Sequence, residues 1–155
     1  MKLEFIDHNT YKELDFEAIF DDIHNEFYRK YGKIINVNSY IKIAWSSDLL
    51  LPQVLDLSSK ICAIGIDQNF AIYDFEKKHR IMYLDLMFLF CEMVKVNQKL
   101  FIATELEVIV VDLEDYNIID TISLPDMYDK IEIKCDQIDI HCLENILIKY
   151  YTRDD

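Results

Sequence analysis

The sequence predicts an α+β protein that is mostly β, with an N-terminal amphipathic helix packed on an open, twisted antiparallel sheet or partial barrel. Three observations predict this class. Apolar residues recur with a helical period over residues 15–31, and with a period near two after that segment. From about residue 54 to residue 150, apolar positions also recur with a shift of 38 residues. Since no linker rich in Pro, Gly or Ser interrupts the chain, we expect a single domain over residues 1–155.

The helix is predicted over residues 15–31 because one stripe of apolar side chains runs along that segment. The stripe consists of Phe16, Ile19, Phe20, Ile23 and Phe27. Asp15 suits the N-cap position, where a side-chain oxygen accepts a hydrogen bond from a free backbone N–H. Gly32 suits the C′ position, at which glycine ends many helices. We expect the stripe to pack on a β-sheet.

Short β-strands are predicted from about residue 54 onward, because runs of β-branched and aromatic residues alternate with turn signals. The strands are expected at residues 61–66, 70–75, 100–103, 108–113 and 118–124. Asn and Asp take the place of Gly in the turns between them, since both tolerate positive φ.

A weak internal repeat groups these strands into units of about 38 residues. Ile64 falls on Ile102 and then on Ile140, and Asp74 falls on Asp112. Each unit contains three strands, an Asp at the end of the third, a turn and a fourth strand. This layout resembles a blade of the β-propeller or WD-repeat type, although the Gly-His and Trp-Asp pairs of WD repeats are absent. Only two units and part of a third fit, which favours an open sheet over a closed propeller.

Composition excludes several classes of function. The chain has 16 Lys and Arg against 29 Asp and Glu, and its net charge of −13 disfavours nucleic acids and anionic membranes as partners. Its two glycines are too few for a dinucleotide-binding loop, and no Walker motif is present. No segment reaches the roughly 18 apolar residues of a membrane span, and no signal peptide is visible. We therefore expect a cytoplasmic protein whose four cysteines are reduced thiols.

No residue pattern points to catalysis or to a cofactor. No Ser or Cys lies in a recognisable nucleophile setting, and the paired acids lack the apolar surroundings that raise a catalytic pKa. Asp139 and His141 share one face of a predicted strand, with Cys135 and Cys142 nearby. Because no third ligand is identifiable, we expect no metal site. Since no catalytic pattern is present either, we also expect no cofactor, no small-molecule substrate and no enzymatic activity.

A small, acidic, single-domain chain of this kind resembles a bacterial immunity protein of the contact-dependent inhibition or polymorphic-toxin type. The resemblance is one of class, and no motif is matched residue by residue. It implies a protein that neutralises a cognate toxin, expected to be basic and nucleic-acid-directed, by covering the toxin's active cleft with an acidic surface. The alternative is a propeller-like protein–protein interaction module without an inhibitory role.

The candidate partner-binding residues are acids outside the alternating core, since carboxylates would face the basic partner. They are Glu17, Asp21, Asp22, Glu105, Glu107, Glu114, Asp115, Asp126 and Asp129. An apolar interface would instead use tyrosines near polar turns and the chain end, which supply large contact areas. These are Tyr116, Tyr128, Tyr150 and Tyr151.

Overall fold

A computed structural model describes residues 1–20, 30–135 and 137–151. These residues form four β-sheets. The first contains β1 (Lys2–Ile6), β2 (Glu17–Ala18), β3 (Lys30–Asn36) and β4 (Ser39–Trp45). The second contains β5 (Gln53–Asp56), β6 (Ile61–Ile66), β7 (Asn69–Asp74) and β8 (His79–Asp85). The third contains β9 (Phe90–Val96), β10 (Lys99–Thr104), β11 (Glu107–Asp112) and β12 (Ile118–Ser123). The fourth contains β13 (Tyr128–Ile133), β14 (Gln137–Cys142) and β15 (Leu147–Tyr151).

The second, third and fourth sheets are antiparallel meanders in which each strand pairs with the next one along the chain. The first sheet has the order β1-β3-β4-β2, and its two-residue strand β2 runs parallel to β4. The helical structure of the described residues is limited to α1 (His8–Glu13) and a 3₁₀ turn at Leu143–Asn145. The Asp7 carboxylate begins α1 by accepting hydrogen bonds from the backbone N–H groups of Asn9 and Thr10.

Contacts divide the chain into two compact units, Met1–Met87 and Phe88–Asp155. In the first unit, residues of the first and second sheets share one core that includes Phe20, Trp45 and Ile64. In the second unit, residues of the third and fourth sheets share another core, which includes Phe101 and Ile140. Each core is therefore built between two neighbouring sheets.

The α+β class, the helix predicted over residues 15–31 and the predicted open sheet or partial barrel are wrong, because the described residues form four sheets with one short α-helix and a 3₁₀ turn. Ala18 belongs to β2, Tyr31 lies in β3, and the Ile19 N–H donates to the Lys42 carbonyl 3.1 Å away. Ile19 and Phe20 are buried, as the apolar stripe predicts, but they reach the core beside a strand. Ile23 and Phe27 lie outside the described residues. A short apolar run satisfies either element, and here pairing with β4 determines the outcome.

Gly32 is a strand residue, and it does not end a helix. It pairs with Phe5 of β1 and with Ile43 of β4. A Cβ at this position would meet Leu3 Cδ1 at 3.0 Å and the Glu4 carbonyl oxygen at 3.3 Å. Glycine therefore suits the close packing here, since a Cβ would require these neighbours to shift by a few tenths of an ångström.

The 38-residue repeat is confirmed by the structure. The second strands of the last three sheets, β6, β10 and β14, begin 38 residues apart from one another. The same backbone hydrogen bonds also recur with this shift. The bond from Phe75 N to Lys60 O recurs as Leu113 N to Gln98 O. The bond from Leu86 N to Gln68 O recurs as Leu124 N to Leu106 O. The bond from Glu105 N to Leu89 O recurs as Leu143 N to Met127 O. The shift therefore describes backbone geometry as well as apolar pattern.

The Asp that ends the third strand has the same role in two repeats. Asp74 Oδ1 accepts the backbone N–H groups of Glu76 and Lys77 at 2.8 and 3.0 Å. Asp112 Oδ1, 38 residues later, accepts the Glu114 N–H at 2.8 Å. Both carboxylates thus form Asx turns that start the connection to the fourth strand.

Candidate functional site

Four exposed apolar side chains lie at one end of the sheets in the second unit. Leu89 precedes β9, Leu106 lies in the β10–β11 turn, Met127 precedes β13, and Leu143 follows β14. Because the strands are antiparallel, these positions share the same end of their respective sheets. Between 36% and 47% of each side chain is accessible to solvent. We call these four residues the apolar strip.

Backbone hydrogen bonds hold the turns of the apolar strip side by side. Glu105 N–H donates to the Leu89 carbonyl at 3.0 Å, and Tyr128 N–H donates to the Glu105 carbonyl at 2.9 Å. Leu143 N–H donates to the Met127 carbonyl at 2.8 Å. The third and fourth sheets are therefore joined at this end, and the backbone segments that carry the four residues are neighbours.

Four of the predicted acids accompany the apolar strip. Glu105 and Glu107 lie in or beside the β10–β11 turn, and Asp126 lies immediately before Met127. All three are half-buried, whereas Asp129, in β13, is exposed. The Asp126 carboxylate accepts the Met127 N–H at 2.7 Å, which fixes the backbone at the strip.

The remaining predicted acids lie elsewhere. Glu114 and Asp115 are exposed in the β11–β12 turn, at the opposite end of the third sheet from the apolar strip. Glu17 is in the first unit, where its carboxylate accepts the Tyr73 hydroxyl at 2.7 Å. Asp21 and Asp22 lie outside the described residues. Seven of the nine acids are thus described, one in the first unit and six in the second, and their role in binding a partner stays a prediction.

The tyrosines predicted as an apolar interface differ in environment. The Tyr128 hydroxyl donates to the Glu92 carboxylate, and burial together with this contact raises the pKa of Tyr128. Tyr150 packs edge-to-face on Phe101 with ring centroids 5.3 Å apart. Tyr116 is half-buried in a turn, whereas 66% of Tyr151 is exposed. Tyr128 and Tyr150 thus have structural contacts inside the second unit.

A cluster of three potential metal ligands occurs in the fourth sheet. Glu132, Asp139 and His141 place one ligand atom each within 4.8 Å of one another. Glu132 lies opposite Asp139 on the neighbouring strand, which is why spacing along the sequence did not identify a third ligand. Lys134 contacts the Asp139 carboxylate, and Lys130 contacts that of Glu132. A metal ion would have to displace these ammonium groups from the carboxylates. The expectation that the protein binds no metal stays a prediction.

The four cysteines are free. Cys62 and Cys142 are buried in the cores of the two units, whereas Cys91 and Cys135 are exposed. Burial raises the pKa of the Cys62 thiol to about 12, which keeps it protonated at neutral pH. No thiol of the core is therefore set up as a nucleophile by its surroundings.

The apolar strip was not predicted, although the repeat contains a signal for it. Leu89 and Met127 are 38 residues apart, and each lies in the connection before the first strand of its sheet. A turn position that stays apolar in successive repeats indicates a surface function, since turns are ordinarily polar. Leu106 and Leu143 belong to the strip only because the hairpins bring them there.

Solved structures similar to this chain have propeller-like folds. One is a chain in the crystal structure of the mitotic checkpoint complex, with a TM-score of 0.55 and 12% identity over 81% of this chain and 43% of that one. Another is a chain in the crystal structure of BBS1N in complex with ARL6DN, with a TM-score of 0.52 and 16% identity over 81% of this chain and 41% of that one. This chain thus spans about two fifths of each solved chain. No family model and no curated protein matches the sequence.

The sheets of this chain are therefore β-propeller-like in fold, as the blade-like repeat predicts. At these identities the likeness extends to the fold alone. None of these findings supports the immunity-protein class. Within the described part of the chain, no helix is both long enough and apolar enough to cross a membrane.

Proposed function

We propose that the chain is a protein–protein interaction module built from propeller-type sheets, and that its apolar strip contacts a protein partner. The observation that supports this proposal most is that four apolar residues are exposed in neighbouring turns at one end of the sheets of the second unit. They are Leu89, Leu106, Met127 and Leu143. Protein interfaces commonly have an apolar centre and a polar rim. Contiguous exposed apolar side chains on a monomer often mark such an interface.

The acids beside the apolar strip determine which partners fit. Glu105, Glu107, Asp126 and Asp129 supply a negative rim around an apolar centre. A partner with apolar side chains surrounded by lysine or arginine would complement this surface. Both similar solved structures are of protein complexes, which supports an interaction module. A cognate toxin would be one partner of this chemistry, and the proposed role needs no catalytic step.

Substitution of the strip tests the proposal. Affinity capture from a native host, followed by reconstitution with the purified partner, should give a measurable dissociation constant for the wild-type chain. We expect Leu106→Asp and Met127→Asp each to weaken binding at least about tenfold, because each places a charge in the centre of the interface. Ile133→Asp is the matched control, since Ile133 is 54% exposed at the opposite end of β13 from Met127.

The melting temperature of each variant separates lost binding from lost folding. Exposed positions away from buried contacts change stability by about 0.5 kcal/mol or less. If both strip variants bind the partner as tightly as Ile133→Asp does, the apolar strip is not the interface. Neutralising Glu105 and Asp126 should chiefly lower the on-rate and reduce its dependence on salt.

A further inference from the structure

The first unit contains a cavity of about 270 Å³ whose walls are rich in aromatic rings. Phe16 stacks on Tyr40 with centroids 5.1 Å apart and an interplanar angle of 11°. Tyr73 meets Phe75 edge-to-face at the same separation of 5.1 Å. Tyr73 and Phe75 are buried, whereas Tyr40 is 41% exposed. Two aromatic pairs, one of them fixed in the core, thus line one cavity.

The lining of the cavity also contains two carboxylates. Asp15 and Glu17 are both exposed to solvent and stand on either side of Phe16 in the sequence. Glu17 Oε2 accepts the Tyr73 hydroxyl at 2.7 Å, which orients this carboxylate toward the aromatic wall. Burial and this hydrogen bond raise the pKa of Tyr73, so the phenol keeps its proton at neutral pH. Among the described residues of the lining, Lys78 is the one base beside these two acids.

We propose that this cavity binds a cationic side chain, lysine or arginine, presented by a partner protein. Aromatic faces attract an ammonium or guanidinium group through their quadrupole, and nearby carboxylates strengthen this attraction. An apolar side chain would gain no charge interaction from Asp15 and Glu17. The volume lies just below the range of about 300–1,000 Å³ found for small-molecule sites, and it suits one side chain.

The inference rests on the proposed function only in assigning the cation to a protein. Its residues lie between Asp15 and Lys78 in the first unit, whereas the apolar strip lies in the second. Loss of one interaction therefore leaves the test of the other unchanged. Glu17, predicted as a partner-binding acid on a helix, reappears here in β2 beside an aromatic wall.

Short peptides serve as probes of the full-length chain. Four otherwise identical peptides would carry arginine, lysine, citrulline or norleucine at one central position, and NMR titration would measure binding to each. We expect the cationic members to bind at millimolar concentration or below and to shift the resonances of Tyr40 and Phe16. The neutral members should bind at least about fivefold more weakly. Parallel NMR titrations with guanidinium and tetramethylammonium ions measure whether the cavity binds a free small cation as well as one carried by a peptide.

Variants of the lining give the sharpest outcome. Glu17→Gln removes the charge while its amide oxygen can still accept the Tyr73 hydroxyl, and Tyr40→Leu removes an aromatic face. Each should weaken binding of the arginine peptide about fivefold. Lys78→Asn should strengthen binding about threefold, because it removes a like charge at a residue whose φ of 51° Asn tolerates.

Glu13→Gln is the matched control, since it removes one exposed acid from α1 without touching the cavity. It should bind the arginine peptide as the wild-type chain does, and each of the four variants should show one cooperative thermal unfolding transition. Three outcomes would overturn the proposal. They are equal binding of the citrulline and arginine peptides, unchanged binding in Glu17→Gln and Tyr40→Leu, and no binding of any cationic peptide at millimolar concentration.

Discussion

The first and third sheets of this protein are built from different arrangements of the chain. In the third sheet, β9 to β12 follow one another as hairpins, so that neighbours in sequence are neighbours in space. In the first sheet, β1 pairs with β3, although α1 and β2 lie between them in the sequence. The strand β2 pairs in parallel with β4. The third sheet was predictable from local patterns, whereas the first required contacts between distant segments.

The N-terminal segment shows why local patterns are insufficient there. Phe16, Ile19 and Phe20 have helical spacing, yet Ile19 and Phe20 are buried beside a strand that has only two residues. Burial of these side chains is compatible with either element, because both offer an apolar environment. The hydrogen-bond partners supplied by β4 decide between them.

The largest effect is expected for Phe20→Asp, which tests whether the first core depends on this segment. Phe20 is 2% exposed and shares a core with Trp45, so the substitution buries an uncompensated charge. We expect a loss of at least about 4 kcal/mol in the free energy of unfolding. Trp45 is the only tryptophan, and its fluorescence during denaturation reports on this core.

The control for this substitution is Leu49→Asp, at a side chain that is 94% exposed in the same unit. It should change stability by no more than about 0.5 kcal/mol. An unchanged denaturation midpoint for Phe20→Asp would mean that residues 19–20 do not pack as described, and the contrast between the two sheets would fail.

A smaller effect is expected at the two equivalent Asx turns, Asp74 and Asp112. Asp74 is 5% exposed and accepts two backbone N–H groups, whereas Asp112 is half-buried and accepts one from Glu114. At pH 7 we expect Asp74→Ala to cost about 2 kcal/mol and Asp112→Ala about 1 kcal/mol, because each loses its turn hydrogen bonds. Urea denaturation of both variants measures the difference.

The cost of Asp74→Ala should depend on pH. Burial raises the pKa of Asp74, but hydrogen bonds from Lys77 and Glu76 outweigh this effect and leave the pKa below its ordinary value. A carboxyl whose folded pKa is lowered stabilises the fold above the unfolded pKa of about 3.9 and loses this contribution as the pH falls through the folded pKa. The difference between wild type and variant should therefore shrink as the pH falls below about 4. A constant difference down to pH 2 would exclude this linkage.

The smallest effect concerns the hairpin turns of the two sheets. Val37 in the first sheet and Asn97 in the third both begin two-residue turns with positive φ, at 52° and 54°. A β-branched residue is strained there, whereas Asn tolerates this region. Val37→Asn should stabilise the protein by about 1 kcal/mol and raise the melting temperature by about 2–8 °C. Asn97→Val should have the opposite sign, and equal signs for the two changes would show that turn strain is not the cause.

The candidate site was predictable only in part. Charge identified Glu105, Glu107, Asp126 and Asp129 as surface acids, and the structure places them beside the apolar strip. Charge alone could not separate them from Glu114 at the other end of the sheet, because adjacent turns of a meander lie at opposite ends. The strip itself arises where two hairpins and two connections meet through backbone hydrogen bonds.

By itself, the sequence determined the features that depend on residues close together in the chain. These are the five strands predicted between residues 61 and 124, the 38-residue period and the turns begun by Asp74 and Asp112, since alternation and side-chain turn chemistry act locally. Tertiary structure alone decided the strand at Glu17–Ala18, the apolar strip and the aromatic cavity. Each of these requires distant segments to approach one another, and a local pattern does not specify which segments will pair.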